Sequence, residues 1–176
     1  MSHWQKITLV GVGLLGGSIG LAVKQRRLAG HVAGFVRRVR SVTECVQAGV
    51  VDSADIDLAR AIEGADLIIL CTPIAQMAEL TVKMRPVLKK GAILTDVGSV
   101  KSSLAAELEP LLEGSGVEFI GSHPMAGAEK MGVGAARADL FARAICAGIV
   151  LKSALSRFPW RASSRYFSAE RSSTSK

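Results

Sequence analysis

The sequence contains few cysteines and few aromatic residues, and it has no long hydrophobic run without interruption. Its three cysteines, Cys45, Cys71 and Cys146, are far apart and have no histidine at metal-ligand spacing, which argues against a disulfide framework and against a metal site. The longest apolar stretch, residues 7–23, is interrupted by five glycines and a serine, so it does not predict a membrane span. The first residues lack the pattern of a signal peptide. We therefore expect a cytoplasmic protein whose thiols are reduced.

The positive charge of the chain is concentrated near its end. The formal net charge is +7, yet residues 1–150 hold 16 Lys and Arg against 14 Asp and Glu, whereas residues 151–176 hold six against one. Eight of the 17 serines and four of the eight aromatic residues also lie in this last segment. Such a composition suits binding to single-stranded nucleic acid, but it is more often that of an unstructured or frame-shifted end. We predict that residues 152–176 form a disordered or aberrant tail, and we do not expect nucleic-acid binding.

The rest of the sequence alternates between short β-branched runs and longer amphipathic segments. Hydrophobic residues make up 49% of the chain and charged residues 21%, so a sizeable core can be buried. The alternation is typical of βαβ units around a parallel sheet that is covered on both faces. We predict strands over residues 6–11, 31–36, 66–71, 92–97, 117–121 and 145–151, and helices over residues 14–28, 39–48, 74–88, 101–112 and 135–144. Residues 1–151 are therefore expected to form one α/β domain with a doubly wound parallel sheet.

A glycine motif follows the first predicted strand and opens the first predicted helix. Its sequence, GVGLLG, has the GxGxxG spacing that binds the pyrophosphate of a dinucleotide in Rossmann-type folds. The first glycine permits the tight turn, the second leaves room for the phosphates, and the third lets the helix pack closely on the strand. The N–H groups at the helix start would bind the phosphates. The predicted cofactor-binding residues of this turn are Gly11, Val12, Gly13, Leu14, Leu15 and Gly16.

The residues after the second predicted strand bear on the choice between the two nicotinamide cofactors. An Asp or Glu in this place would bind the ribose hydroxyls of NAD, but the sequence has Arg37 and Arg38 and no acid. Two guanidinium groups would bind a 2′-phosphate, and no carboxylate would repel it. The sequence therefore favours NADP over NAD, although a pair of arginines is also common at a solvated helix start.

Two further loops follow predicted strands, at the edge of the sheet where open α/β folds bind their ligands. The first loop, residues 96–101, contains Ser99, which could also serve as a helix N-cap. The second loop, residues 121–130, contains His123 among Gly, Ser, Glu and Lys residues. Functional groups gather on such loops, and an imidazole can accept a proton near neutral pH. We therefore predict that His123 is a catalytic residue.

Four motifs in this order resemble the nucleotide-binding half of the prephenate and arogenate dehydrogenases. They are GVGLLGGSIGLA, DLIILCTP, LTDVGSVKSSL and GSHPMAGAEKMGVGAARADLF, and the resemblance covers roughly residues 6–147. The last motif is the most specific. The resemblance implies an oxidoreductase of tyrosine biosynthesis that oxidises and decarboxylates prephenate to 4-hydroxyphenylpyruvate, or arogenate to tyrosine, with reduction of NAD or NADP. The expected substrate is a small dicarboxylate.

The resemblance also implies roles for individual residues. His123 would take the hydroxyl proton of the substrate or hydrogen-bond it, and Ser99 would hydrogen-bond at the same centre. The other implied assignments are Thr72 and Pro73 to the cofactor cleft, and Ser122, Glu129 and Lys130 to substrate binding or gating. For Lys130, a simple role as an exposed lysine is an equal alternative.

Members of this family continue into a mostly helical domain that forms a homodimer and supplies basic residues for the substrate's carboxylates. The sequence departs from the family pattern beyond about residue 147, so we expect this helical domain to be absent. The chain is then expected to bind NADP, to turn over prephenate poorly or not at all, and to self-associate through exposed apolar surface. Two alternatives stay open: a non-catalytic dinucleotide-binding module, and a related β-hydroxyacid or imine-reducing dehydrogenase. The choice between prephenate and arogenate stays open as well.

Overall fold

The computed structural model describes residues 3–127, 130–142, 144 and 146–149. Within these residues, seven strands form one sheet in the order β3-β2-β1-β4-β5-β6-β7. The strands are β1 (Trp4–Val10), β2 (Ala29–Phe35), β3 (Ser53–Asp55), β4 (Leu67–Leu70), β5 (Ile93–Asp96), β6 (Glu118–Pro124) and β7 (Cys146–Ile149). Strands β1 to β6 run parallel, and β7 lies antiparallel to β6. The predicted doubly wound parallel sheet is confirmed, with an antiparallel strand added at one edge.

Helices cover both faces of this sheet. They are α1 (Leu14–Gln25), α2 (Val39–Gln47), α3 (Leu58–Ile62), α4 (Met77–Met84) and α5 (Lys101–Leu112). One buried cluster joins strand residues such as Leu9 to Cys45 of α2, and a second joins Leu70 to Met77 of α4 and Leu108 of α5. Nearly unbroken apolar strands are what a sheet buried on both faces requires. In the part of the chain that the structure describes, no helix has both the length and the hydrophobicity needed to cross a membrane.

The strand order reverses between β1 and β4. Strand β1 pairs with β2 on one side and with β4 on the other, and the chain then continues outward from β4 through β5 to β6. In an open parallel sheet this reversal leaves a crevice at the carboxyl ends of the two central strands, because the connections that follow them go to opposite faces. Gly11 follows β1 and Cys71 follows β4, so the glycine motif lies at this crevice.

Strand β6 is longer than the sequence pattern indicates. The predicted strand ends at residue 121, whereas the observed strand continues to Pro124 because β7 pairs with its last four residues. His123 is therefore part of β6, opposite Ala147, and does not lie in the loop after the strand as predicted. Backbone pairing on this edge holds the histidine more rigidly than a loop position would.

The helix predicted over residues 135–144 is wrong for the described residues of that range. A short 3₁₀ helix, Val133–Ala135, is followed by turns. Ala136 packs closely on α1, because a Cβ added at Gly17 of this helix would lie 2.8 Å from the Cβ of Ala136. The Arg137 N–H donates to Ser18 Oγ of α1 at 3.0 Å. These contacts with α1 override the helix propensity of the segment.

The sequence pattern also misses β3 and α3. Strand β3 has only three residues, too few for a visible alternation, and α3 begins where the Asp57 carboxylate accepts hydrogen bonds from the N–H groups of Ala59 and Arg60. The strand predicted over residues 145–151 is observed as β7. Residues 145 and 150–151, and the predicted tail over residues 152–176, lie outside the described residues.

Asp66 joins the amino ends of β1 and β4. Its Oδ2 accepts the N–H groups of Gln5 at 2.8 Å and Lys6 at 3.0 Å, and Lys89 Nζ lies 2.5 Å from Oδ1. Burial opposes ionisation of Asp66, but the hydrogen bonds from Lys89 and the two N–H groups outweigh it, so the pKa of this carboxyl is lowered. A lowered pKa in the folded state stabilises the fold above the pKa of the unfolded chain, and this contribution is lost as the pH falls through the folded-state value.

We expect the Asp66→Asn variant to be less stable than the wild type at neutral pH and to lose less stability in acid. The asparagine cannot ionise, so the stability that the wild type loses below about pH 4 is already missing. Urea unfolding of both proteins at several pH values from about 3 to about 7 checks this, because an ordinary aspartate titrates within that range. Two parallel stability curves would contradict the assignment.

Candidate active site

Two glycines of the motif allow α1 to begin close to β1 and β4. Gly11 has a φ of +96°, a left-handed value that glycine adopts without strain. A Cβ added there would lie 2.9 Å from Thr72 Cγ2. A Cβ added at Gly16 would lie 2.2 Å from the carbonyl oxygen of Gly11, a distance that no real side chain adopts. Larger residues in these two places would push the helix away from the strands.

Gly13 differs from these two glycines because the position of its missing Cβ has no atom within 4 Å. It caps α1 without a side-chain hydrogen bond, and the first turn of the helix holds no acidic residue. The N–H groups of this turn and the helix dipole are therefore available to an anion, since no carboxylate of the turn competes for them. Between the glycines, Val12 is buried, Leu14 is half-buried and Leu15 packs against the core.

Thr72 adds a polar atom beside the glycine turn. Its hydroxyl oxygen is buried and has no hydrogen-bond partner among the described residues. Leaving such a group without a partner costs on the order of 1–3 kcal/mol, which a ligand that bonds to it would recover. Pro73 is exposed and precedes a 3₁₀ helix, Ile74–Gln76, that leads into α4. The open position at Gly13 and the unpartnered Thr72 hydroxyl both fit a dinucleotide bound in this crevice.

Arg37 and Arg38 follow β2 at the same edge of the sheet. The backbone places them near the glycine turn, because the Gly11 N–H donates to the carbonyl oxygen of Phe35 at 3.0 Å. Both arginines are exposed, and Arg38 caps α2 without a side-chain hydrogen bond. Neither forms an ion pair with a residue that the structure describes. Their guanidinium groups can therefore turn toward an anionic ligand without breaking such a pair.

Ser99 is exposed in the loop between β5 and α5. The N-cap of α5 is Val100, whose own side chain makes no capping hydrogen bond. Ser99 immediately precedes this cap. It stands one residue beyond Gly98, whose N–H donates to Asp96 Oδ2 at 2.7 Å.

The residues predicted around the histidine have different surroundings. His123 is half-buried near the end of β6. The neighbouring Ser122 is tied to β5, because its hydroxyl donates to the Asp96 carbonyl oxygen at 2.5 Å and lies 3.2 Å from Thr95 Oγ1. Lys130 is exposed, and Glu129 lies outside the described residues.

The topology brings most of these groups to one edge of the sheet. Thr72 follows β4, Ser99 follows β5 and His123 lies at the end of β6, and these three strands are neighbours in the sheet. The sequence analysis did not single out Asp96, which links the last two strands, or Ser18, which holds residue 137 against α1. Asp96 could have been identified from the sequence, because it is an acid at the end of the otherwise largely apolar strand Ile93–Asp96.

Cys71 follows β4 directly and so lies at this crevice. Burial, with a smaller contribution from the negative charge of Asp96, raises the pKa of its thiol to about 12. The thiol is therefore protonated at neutral pH, and a protonated thiol is a poor nucleophile and a poor metal ligand. The described residues also contain no group of three or more His, Cys, Asp or Glu side chains that could hold a metal ion.

Comparison with known proteins places this architecture in a family. A family model described as the nucleotide-binding domain of prephenate dehydrogenase matches residues 19–148. The chain belongs to the prephenate dehydrogenase family. This match covers most of the residues that the structure describes, including β4, β5 and β6, whose carboxyl ends carry the candidate site residues Thr72, Ser99 and His123.

Relatives within the prephenate dehydrogenase family agree in sequence and in structure. The prephenate dehydrogenase of Lactococcus lactis is 38% identical over 142 residues, which are 80% of this chain and 39% of that protein. The arogenate dehydrogenase of Synechocystis is 34% identical with a TM-score of 0.76, and the alignment covers 84% of this chain and 51% of that one. The prephenate dehydrogenase of Aquifex aeolicus, solved with hydroxyphenyl propionate and NAD+, is 28% identical with the same TM-score and the same two coverages. The chain therefore spans between two fifths and about half of the length of these relatives.

Proposed function

We propose that this chain is the dinucleotide-binding part of an enzyme that oxidatively decarboxylates prephenate or arogenate. The observation that carries the proposal is the shared edge of the sheet, where the open Gly13 position, Ser99 and His123 all lie. The names of the relatives support the reaction class, and the Aquifex aeolicus structure is that of a family member with hydroxyphenyl propionate and NAD+.

Different residues of the crevice would bind different parts of the cofactor. The N–H groups at the start of α1 would hold the pyrophosphate, and the buried Thr72 hydroxyl would gain the hydrogen bond that it lacks in the described residues. The bound nicotinamide supplies the hydride acceptor for the reaction. Arg37 and Arg38 would bind a 2′-phosphate, which is why we propose NADP as the preferred cofactor.

His123 would move the proton of the reaction. As the carbinol carbon of the substrate loses a hydride, its hydroxyl loses a proton, and a neutral imidazole can accept that proton near pH 7. The carboxylate then leaves as CO2, its electron pair completes the aromatic ring, and the ring oxygen takes back the proton. Ser99 would hydrogen-bond the same oxygen and orient it toward His123.

A single-turnover assay tests this function. The chain is mixed in excess over NADP+, prephenate or arogenate is added, and the absorbance of the reduced nicotinamide is followed. Excess protein makes slow turnover visible, because each bound cofactor needs to react only once. Substrate-dependent reduction supports the proposal. Cofactor binding without any reduction by either substrate would contradict catalysis by this chain and favour a binding module.

We expect the double variant Arg37→Ser, Arg38→Ser to bind NADP about 10- to 100-fold more weakly, since the two exposed side chains together should contribute about as much as one charged hydrogen bond, about 1.5–3 kcal/mol. NAD lacks the 2′-phosphate, so its affinity is expected to change by less than about threefold, which is under 1 kcal/mol. Titration of protein fluorescence or calorimetry measures both affinities. Arg26→Ser is the matched control, because Arg26 is exposed at the far end of α1. An equal loss for both cofactors would contradict the assignment.

A further inference from the structure

Asp96 is a fully buried carboxylate at the end of β5. Its two oxygens accept backbone N–H groups from two different segments: Oδ2 from Gly98 at 2.7 Å and Oδ1 from Ser122 at 3.1 Å. Burying a charged group is unfavourable unless hydrogen bonds replace the lost water. Here the two bonds come from the β5–α5 loop and from β6, so one side chain joins both.

These bonds replace the backbone ladder where it ends. Strands β5 and β6 pair through Thr95 and Ile120, and no later pair of these two strands is recorded in the described residues. At that last pair, Thr95 Oγ1 also donates to the Ile120 carbonyl oxygen at 2.6 Å, and beyond it Ser122 Oγ donates to the Asp96 carbonyl oxygen at 2.5 Å. Side chains of both strands thus continue the connection up to the edge of the sheet.

The two N–H groups that Asp96 accepts each stand next to a candidate catalytic residue. Gly98 precedes Ser99, and Ser122 precedes His123. A change in the position of the carboxylate would therefore shift both segments, because each bonded N–H belongs to the residue directly before the candidate catalytic side chain. No other described side chain bonds to the N–H groups of both segments.

We propose that Asp96 is a positioning residue, which sets His123 and Ser99 in register with each other for the reaction. This inference rests on the proposed function, in which those two side chains act on one oxygen of the substrate. Asp96 itself is covered by protein and acts through its neighbours. A carboxylate suits this role because both of its oxygens are acceptors, whereas an asparagine would direct an NH2 group at one of the two N–H donors.

The Asp96→Asn variant tests this role, with Asp66→Asn as a matched control. Asp66 also accepts two backbone N–H groups, those of Gln5 and Lys6, but at the opposite end of the sheet. In the Asp96 variant we expect single-turnover hydride transfer to slow by about 10- to 100-fold, while cofactor affinity changes by less than about twofold, since misplacement of reacting groups lowers the rate and leaves binding intact. In the Asp66 variant, the rate is expected to equal that of the wild type.

A second measurement needs no substrate. The chain has three histidines, so its imidazole rings give a simple carbon–proton NMR spectrum, in which the His123→Asn variant identifies the His123 signal. We expect this signal to move or to split in the Asp96→Asn variant and to stay in place in the Asp66→Asn variant. Ser122→Ala keeps the Asp96 carboxylate and its N–H donors but loses the hydroxyl's contacts with the Asp96 carbonyl oxygen and Thr95 Oγ1. It is expected to move the signal less, and it serves if the first variant does not fold.

The outcomes separate the two proposals. An unchanged His123 signal in both the Asp96 and the Ser122 variants would overturn the positioning role, as would an equal rate loss in the Asp66 control. Absence of turnover in the wild-type chain would overturn the proposed reaction alone, because the ring signals report the Asp96 contacts without substrate.

Discussion

Replacing His123 by asparagine is expected to slow the prephenate-dependent reduction of NADP+ by about 10²- to 10⁴-fold, the usual contribution of a positioned general base. Asparagine is smaller than histidine but can still hydrogen-bond a hydroxyl group, and its amide does not accept a proton near neutral pH. The substrate would then lose its hydride without a base to take the hydroxyl proton. Cofactor affinity is expected to stay the same, because the glycine turn and Thr72 are untouched.

His31→Asn is the control for this experiment. His31 also lies on a parallel strand, but its Nε2 is hydrogen-bonded to Ser53 Oγ at 2.8 Å on the other side of the sheet, between β2 and β3. Single-turnover absorbance and cofactor titration are measured for the wild type and for both variants. Equal rates in the wild type and the His123 variant would exclude His123 as the base, and an equal loss in the His31 variant would point to a general effect on the fold.

The parallel core of the fold could be predicted from the sequence because its signals are local. Runs such as Leu67–Leu70 are apolar throughout, and only a strand buried on both faces requires that pattern. The glycine motif between a strand and a helix then fixes the first βα unit and the crevice beside it. Right-handed connections limit the possible strand orders, and the structure gives the order itself.

The residues beyond β6 could not be predicted in the same way, because contacts distant in sequence decide their structure. Residues 135–142 have the composition of a helix, yet Ala136 and Arg137 are held by Gly17 and Ser18, which lie more than a hundred positions earlier. The extension of β6 past residue 121 likewise depends on pairing with β7. Local propensity is too weak to compete with such contacts.

The candidate site also contains some features that the sequence reveals and others that only the structure shows. Glycines, arginines and a histidine at strand ends are visible in the sequence, and the structure places them at one edge of the sheet. The unpartnered hydroxyl of Thr72 and the two bonds of Asp96 are invisible there, since each is defined by a neighbour on another strand. The chemical type of a site residue can be predicted from a motif, but whether its polar atoms have hydrogen-bond partners can be determined only from the structure.

Replacing Gly16 by alanine is expected to lower the free energy of unfolding by about 2 kcal/mol. The new methyl group would lie 2.2 Å from the Gly11 carbonyl oxygen, so the strand, the turn or the helix must move. Overpacking of this kind costs about 1–3 kcal/mol or more. Alanine regains up to about 1 kcal/mol of helix propensity relative to glycine, which offsets part of the loss. Urea unfolding of the two proteins without cofactor measures the difference.

The Gly13→Ala variant distinguishes the effect of this turn on ligand binding from its effect on the stability of the fold. Its Cβ would have no atom within 4 Å, and the φ of −97° is accessible to alanine, so the stability of the free chain should change by less than about 1 kcal/mol. A bound pyrophosphate would meet that methyl group, and we expect a loss of affinity of about 10- to 100-fold from the same overpacking cost. The two alanines should thus give opposite results, with Gly16→Ala affecting unfolding and Gly13→Ala affecting binding. A Gly13 variant that binds NADP as tightly as the wild type would mean that the phosphates do not approach the helix start, and the cofactor would have to be placed elsewhere.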